Sequence, residues 1–120
     1  MKNIVIYEED YLTRTLLLEW LSEAGYRAHL GPLHGANRKW TADLVIVNVY
    51  MPKHAGALWI RDIRKVHRGT PLIAISGQFR SGLSSNGATA QSLGVQHVIA
   101  KPLNRRDLLE AVHGIIGLPT

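Results

Sequence analysis

Four polar stretches fall where apolar runs of the chain stop. Glu8-Glu9-Asp10 follows Ile4-Val5-Ile6-Tyr7, and Asn48 ends Leu44-Val45-Ile46-Val47. Ser76 ends Leu72-Ile73-Ala74-Ile75, and Lys101-Pro102 closes residues 95–100. Paired acids, a residue at a strand end, a hydroxyl and a lysine followed by proline form a specific set if one edge of a sheet gathers them. The chemistry open to Ser76 and Lys101 is contact with an anion. Asn48 carries a neutral amide, which has no anionic oxygen to act as a nucleophile. Each residue also has a plainer reading. The acids can be a solvated strand end with a helix cap, Lys101 can pair with Glu8 or Glu9, and Ser76 can cap or turn the chain.

The elements that must position this set alternate in type. Residues 4–7, 44–47 and 72–75 are short apolar runs rich in β-branched residues, as suits strands buried on both faces. Residues 26–30 read as a weaker strand, and 95–100 as a fifth. Between the first two strands, Leu12, Leu16, Leu17, Trp20, Leu21 and Ala24 make an apolar helical face, with Asp10 as N-cap and Gly25 as the stop. Residues 31–40 hold two glycines and a proline, leaving room for at most a short helix at 36–40. A helix over 55–66 turns Trp59, Ile63 and Val66 inward and Arg61, Arg64 and Lys65 outward. Residues 77–87, rich in glycine and serine, predict a long mobile loop before a short helix at 88–93. Asn104 caps a last helix whose Leu108, Leu109, Val112, Ile115 and Ile116 pack inward. Such β-α alternation calls for an α/β fold, a flavodoxin-like (βα)5 three-layer sandwich with a parallel sheet in the order 2-1-3-4-5. Ligand chemistry then sits outside the carboxyl ends of the strands, where the four polar stretches meet.

At 120 residues the chain has room for one domain, 1–120, with a single core. It has no cysteine, which excludes disulfides, thiol nucleophiles and cysteine zinc sites and fits a cytoplasmic protein. No apolar run is long enough to span a membrane. The first residues read as a strand and not a signal peptide, because the apolar run is too short and charges follow at once. The net charge of +5 permits nucleic acid or an acidic protein surface as partner, although ordinary solvated surface charge is the favoured account of it. The six histidines, at positions 29, 34, 54, 67, 97 and 113, show no metal-ligand spacing and read as surface or structural residues.

On these residues the chain resembles the receiver domain of bacterial two-component response regulators. The carriers are Glu8-Glu9-Asp10, the stretch 43–52 with Gly56, Thr70-Pro71 through Ser76, and Gly94 through Lys101-Pro102. In that family an aspartate ends the third strand and takes a phosphoryl group from a histidine kinase or a small phosphodonor. By position, the resemblance puts Asn48 at the phosphoacceptor and Glu8 and Glu9 at the acidic pair that helps hold Mg²⁺. It puts Ser76 and Lys101 at the phosphoryl contacts and Val98 at the aromatic switch. It also implies a cis Lys101-Pro102 bond.

The chain departs from that pattern in chemically consequential ways. Asn48 removes a charge and the nucleophile, and Glu9 stands in place of the shorter aspartate. Val98 has no ring to turn. The resemblance therefore implies a non-enzymatic pseudo-receiver with no cofactor, or at most weak Mg²⁺ at a vestigial site, that acts through protein contacts. Its expected partner is a histidine kinase or an output protein. In the family the helix before the last strand, that strand and the last helix often make dimer or partner contacts, so a homodimer is compatible with this reading. Two alternatives stay open: an ordinary phosphoacceptor receiver whose aspartate has been exchanged for Asn48, and a small basic nucleic-acid-binding module. The second has neither an aromatic stacking cluster nor a recognised motif behind it.

Overall fold

The strand over Leu44–Asn48, β3, is buried at every residue. Its neighbours explain why. In the computed structural model, which describes residues 2–31, 41–49, 54–77 and 88–119, five parallel strands form one sheet. They are β1 (Asn3–Tyr7), β2 (Arg27–Leu30), β3, β4 (Leu72–Ser76) and β5 (His97–Ala100), in the order β2-β1-β3-β4-β5. The expected topology is therefore the observed one. β3 lies between β1 and β4, with Ile46 opposite Ile6 on one side and Ile73 on the other. The edge strands β2 and β5 are the least buried, which accounts for their weaker apolar patterns.

Successive strand residues point to opposite faces, so the apolar runs divide into two cores. One holds Val5, Tyr7, Val45, Val47, Leu72, Ala74 and Val98, covered by Ile60 and Ile63 of α2 (His54–Val66) and by Ala90 and Leu93 of α3 (Ala88–Leu93). The other holds Ile4, Ile6, Leu44, Ile46, Ile73, Ile75 and Ile99. It is covered by Leu17 and Leu21 of α1 (Tyr11–Glu23) and by Leu108 and Val112 of α4 (Arg105–Ile116). The side chains are sorted by size: valine and alanine dominate the first strand face, isoleucine the second.

The helix ends follow the sequence. Asp10 caps α1, its Oδ2 accepting from the Thr13 N–H at 2.9 Å and the Thr13 hydroxyl at 2.7 Å. Those two bonds hold the Asp10 carboxyl below its usual value of 3.8. Asn104 caps α4 through the Asp107 N–H. One expectation fails in α1. Leu12 is 65% exposed and does not join the apolar face. It lies about 140° round the helix from Leu17, and Thr13, with its hydroxyl bonded to Asp10, takes the inward place instead. In α2, Ile60 is buried beside the expected Ile63. The expected strands 26–30 and 95–100 begin later, at Arg27 and His97. The expected helix at 36–40 and mobile loop residues 78–87 lie outside the described residues.

One buried polar contact escaped the sequence reading. Tyr7 Oη and His67 Nε2 share a hydrogen bond of 2.6 Å inside the first core, and Trp59 packs edge-on against the Tyr7 ring at 5.9 Å. Gly31 makes room for that ring, because a Cβ there would stand 2.5 Å from it. Burial lowers the His67 pKa below its ordinary 6.5, since the imidazolium would be poorly solvated.

Two outcomes follow. Leu108→Ala should cost about 2–4 kcal/mol in urea denaturation, because its side chain is wholly buried between α4 and the sheet. His67 binds its proton less readily folded than unfolded, so its contribution to stability is complete above pH 6.5 and lost as pH falls through its folded pKa. Proton NMR should find that pKa below 6.5, with the urea midpoint declining on acidification. A titration above 6.5 would contradict the burial argument.

Candidate functional site

Strand ends place the candidate residues. Glu8 is the first residue after β1, Asn48 the last of β3, Ser76 the last of β4, and Lys101 the first after β5. Parallel register then brings them to one edge: Tyr7 pairs with Val47, Asn48 with Ile75, and Ser76 with Ala100. Three of these side chains are buried although polar: Glu8 at 4%, Asn48 at 3% and Ser76 at 1% exposure. The Lys101 N–H donates to the Ser76 carbonyl at 3.0 Å, fixing the start of the loop that carries the lysine. The Lys101-Pro102 bond is cis, as the resemblance implies.

The buried charge of this edge is already matched. Glu8 Oε1 accepts the Asp10 N–H at 2.9 Å, and Lys101 Nζ stands 3.2 Å from Glu8 Oε2. The second contact is an ion pair without the alignment of a hydrogen bond. Of the two open partners for Lys101, the structure selects Glu8. Glu9 turns outward and is exposed. Asn48 presents a buried Nδ2 that finds no hydrogen-bond partner among the described residues. Such an orphan donor costs free energy, on the order of 1–3 kcal/mol. Val98 is 4% exposed in the core against α3, paired in register with Ala74.

This donor set does not fit a tightly held Mg²⁺. The ion needs oxygen ligands in close octahedral geometry. Here the buried carboxylate is engaged by an ammonium and a backbone N–H, and the central position offers an amide with an N–H₂ group. Among the described residues no three histidine, aspartate or glutamate side chains gather closely enough to hold a metal.

The fold and this ring of strand-end residues define a class. The family model for the response regulator receiver domain matches residues 4–113, and the chain belongs to that family, the receiver domains of two-component signalling. Among its relatives, the transcriptional regulatory protein CpxR of Klebsiella pneumoniae is 28% identical over 119 residues, 97% of this chain and 50% of that protein. The regulator of RpoS of Escherichia coli is 31% identical over 109 residues, 85% of this chain and 31% of that protein. The chain thus spans half or less of these relatives. A response regulator from Thermotoga maritima superposes with a TM-score of 0.76 at 21% identity, covering 97% of this chain and 98% of that one. The receiver domain of a sensor histidine kinase from Pseudomonas aeruginosa, crystallised with a magnesium ion in its active site cleft, superposes with a TM-score of 0.71. It is 21% identical and covers 97% of this chain and 98% of that one. These structural likenesses show the shared fold. No helix among the described residues is long and apolar enough to cross a membrane.

The ion pair gives a test. Lys101→Met strands the buried Glu8 carboxylate and should lower stability by about 2–3 kcal/mol, less than a fully buried pair because Lys101 keeps some solvent contact. The double variant Glu8→Gln/Lys101→Met should lose less than Lys101→Met alone. Additive losses in urea denaturation would mean that the two charges do not interact.

Proposed function

We propose that this receiver domain signals without phosphorylation of position 48, through contacts with a protein partner. The observation that carries this reading is the buried, neutral Asn48 at the end of β3. Phosphoryl transfer needs an anionic oxygen there. The remaining departures agree with it: Glu9 is exposed, and Val98 fills the core as an aliphatic residue. Mg²⁺ binding is weak or nil, because Lys101 already neutralises Glu8. The partner is a histidine kinase or an output protein, in keeping with relatives named as transcriptional regulators that are about twice this chain's length. No enzymatic turnover is assigned to the domain.

A second reading draws on Ser76 and Lys101, which stand at the same edge as in a working receiver. It holds that an aspartate at position 48 would restore the phosphoacceptor. One experiment tests both, and an Asn48→Asp variant that stays unlabelled would overturn the second. The protein is treated with acetyl phosphate and Mg²⁺ and weighed by mass spectrometry, beside its Asn48→Asp variant. The Asn48 protein should gain no phosphoryl group, and an adduct would overturn the pseudo-receiver reading. If position 48 is the only defect, the variant should become labelled, because Ser76 and Lys101 are still in place. Its amide chemical shifts in β5 and α3 should nevertheless change little on labelling, because Val98 has no ring to reorient.

A further inference from the structure

A cationic cleft lies on the opposite, amino-terminal edge of the sheet. Arg61, Arg64 and Lys65 of α2 and Arg68 of the turn beyond it line an open cavity of about 550 Å³, closed on its far side by Gly94 and Gln96. A second hollow of about 520 Å³ adjoins it and shares Lys65 and Arg68. All four cations are exposed. Among the described residues no carboxylate lines either hollow, and none of the four cations is in an ion pair. Gln96 accepts the Leu72 N–H through Oε1 at 2.8 Å, which leaves its NH₂ group as a further donor. Gly94 has φ 73°, and a Cβ there would stand 2.6 Å from an Arg64 guanidinium nitrogen. The guanidinium therefore lies across backbone at a point that a side chain would close.

The simplest competing account is the helix dipole, which favours cations in the last turn of α2. That accounts for Arg64 and Lys65. It does not account for Arg61 and Arg68, or for a concave surface that gathers four like charges with no acid among them. A cleft of one sign concentrates the field of its charges and draws in counter-charge. The volume suits a small ligand. Among the described residues no phenylalanine, tyrosine or tryptophan lines the cleft to offer a platform for the stacked bases of a nucleic-acid strand. Among the described residues Leu72 is its one large apolar lining residue, which is no anchor pocket of a protein interface. Guanidinium forks match phosphate oxygens in geometry and charge.

We propose that this cleft binds a small polyphosphate anion, a chain of two or more phosphates held by the α2 cations and Gln96. The proposal is independent of the state of Asn48, which sits at the other end of the strands. Isothermal titration calorimetry with inorganic tripolyphosphate should give one site per chain, weakening as salt screens the charges. Arg64→Gln/Arg68→Gln, and separately Arg61→Gln/Lys65→Gln, should each weaken binding at least about tenfold. Arg105→Gln/Arg106→Gln removes the same charge from exposed positions of α4 and should change it less than about twofold. Circular dichroism should be native for all three, because every altered side chain is exposed. ATP binding more tightly than tripolyphosphate assigns the chain to a nucleotide's tail, ATP binding no more tightly assigns it to a free phosphate chain, and either supports the proposal. AMP matching ATP would overturn it. So would the absence of binding heat, equal losses in all three double variants, or tighter binding of a single-stranded oligonucleotide at the same residues.

Discussion

A parallel strand with covered faces and paired edges has nowhere to put a polar side chain except at its ends. β3 meets that condition on all four sides, between β1 and β4 and beneath two helical layers. Its single polar residue, Asn48, stands at the carboxyl end. The same rule holds for β4 and Ser76, and for β1 and Glu8 just beyond it. The site is in this sense a by-product of burial. β1, β3 and β4 each have a polar residue at or just beyond the carboxyl end, and parallel pairing brings these residues together.

What the edge can do then depends on its charge balance. One buried carboxylate faces one lysine, and the central position contributes no charge. A divalent cation would have to compete with Lys101 for Glu8. An incoming phosphoryl group would meet Lys101 and Ser76 but no nucleophile. On the proposed reading, this balance suits a module that presents a fixed surface to a partner.

Much of this was legible in the residues because burial writes a simple pattern. Uniform apolar runs marked β1, β3 and β4, and the polar residues at their ends marked the site. The caps Asp10 and Asn104 were legible because a side-chain oxygen before a helix has one obvious task. The failures have equally local causes. Leu12 has the right chemistry for a core but the wrong angle on its helix. The Tyr7–His67 bond joins residues far apart in sequence, and no local pattern announces it. The choice of Glu8 over Glu9 depended on which acid the strand end turns inward, a fact of backbone geometry that spacing alone leaves open. The cleft beside α2 looked like an ordinary solvated helix face, since a sequence does not reveal that a surface is concave.

The contact between Glu8 and Lys101 has a temporal side as well. A ribosome makes the chain from its amino terminus, so the acid appears before its counter-ion, with most of the domain between them. β1 can find β2 and β3 early, but burying Glu8 before Lys101 arrives means burying an uncompensated charge. Docking of the last strand and its loop is therefore the step that makes the first strand's end comfortable in the interior. A chain ending before residue 101 lacks the cation that matches Glu8, and the pair closes only once β5 and the residue after it have docked.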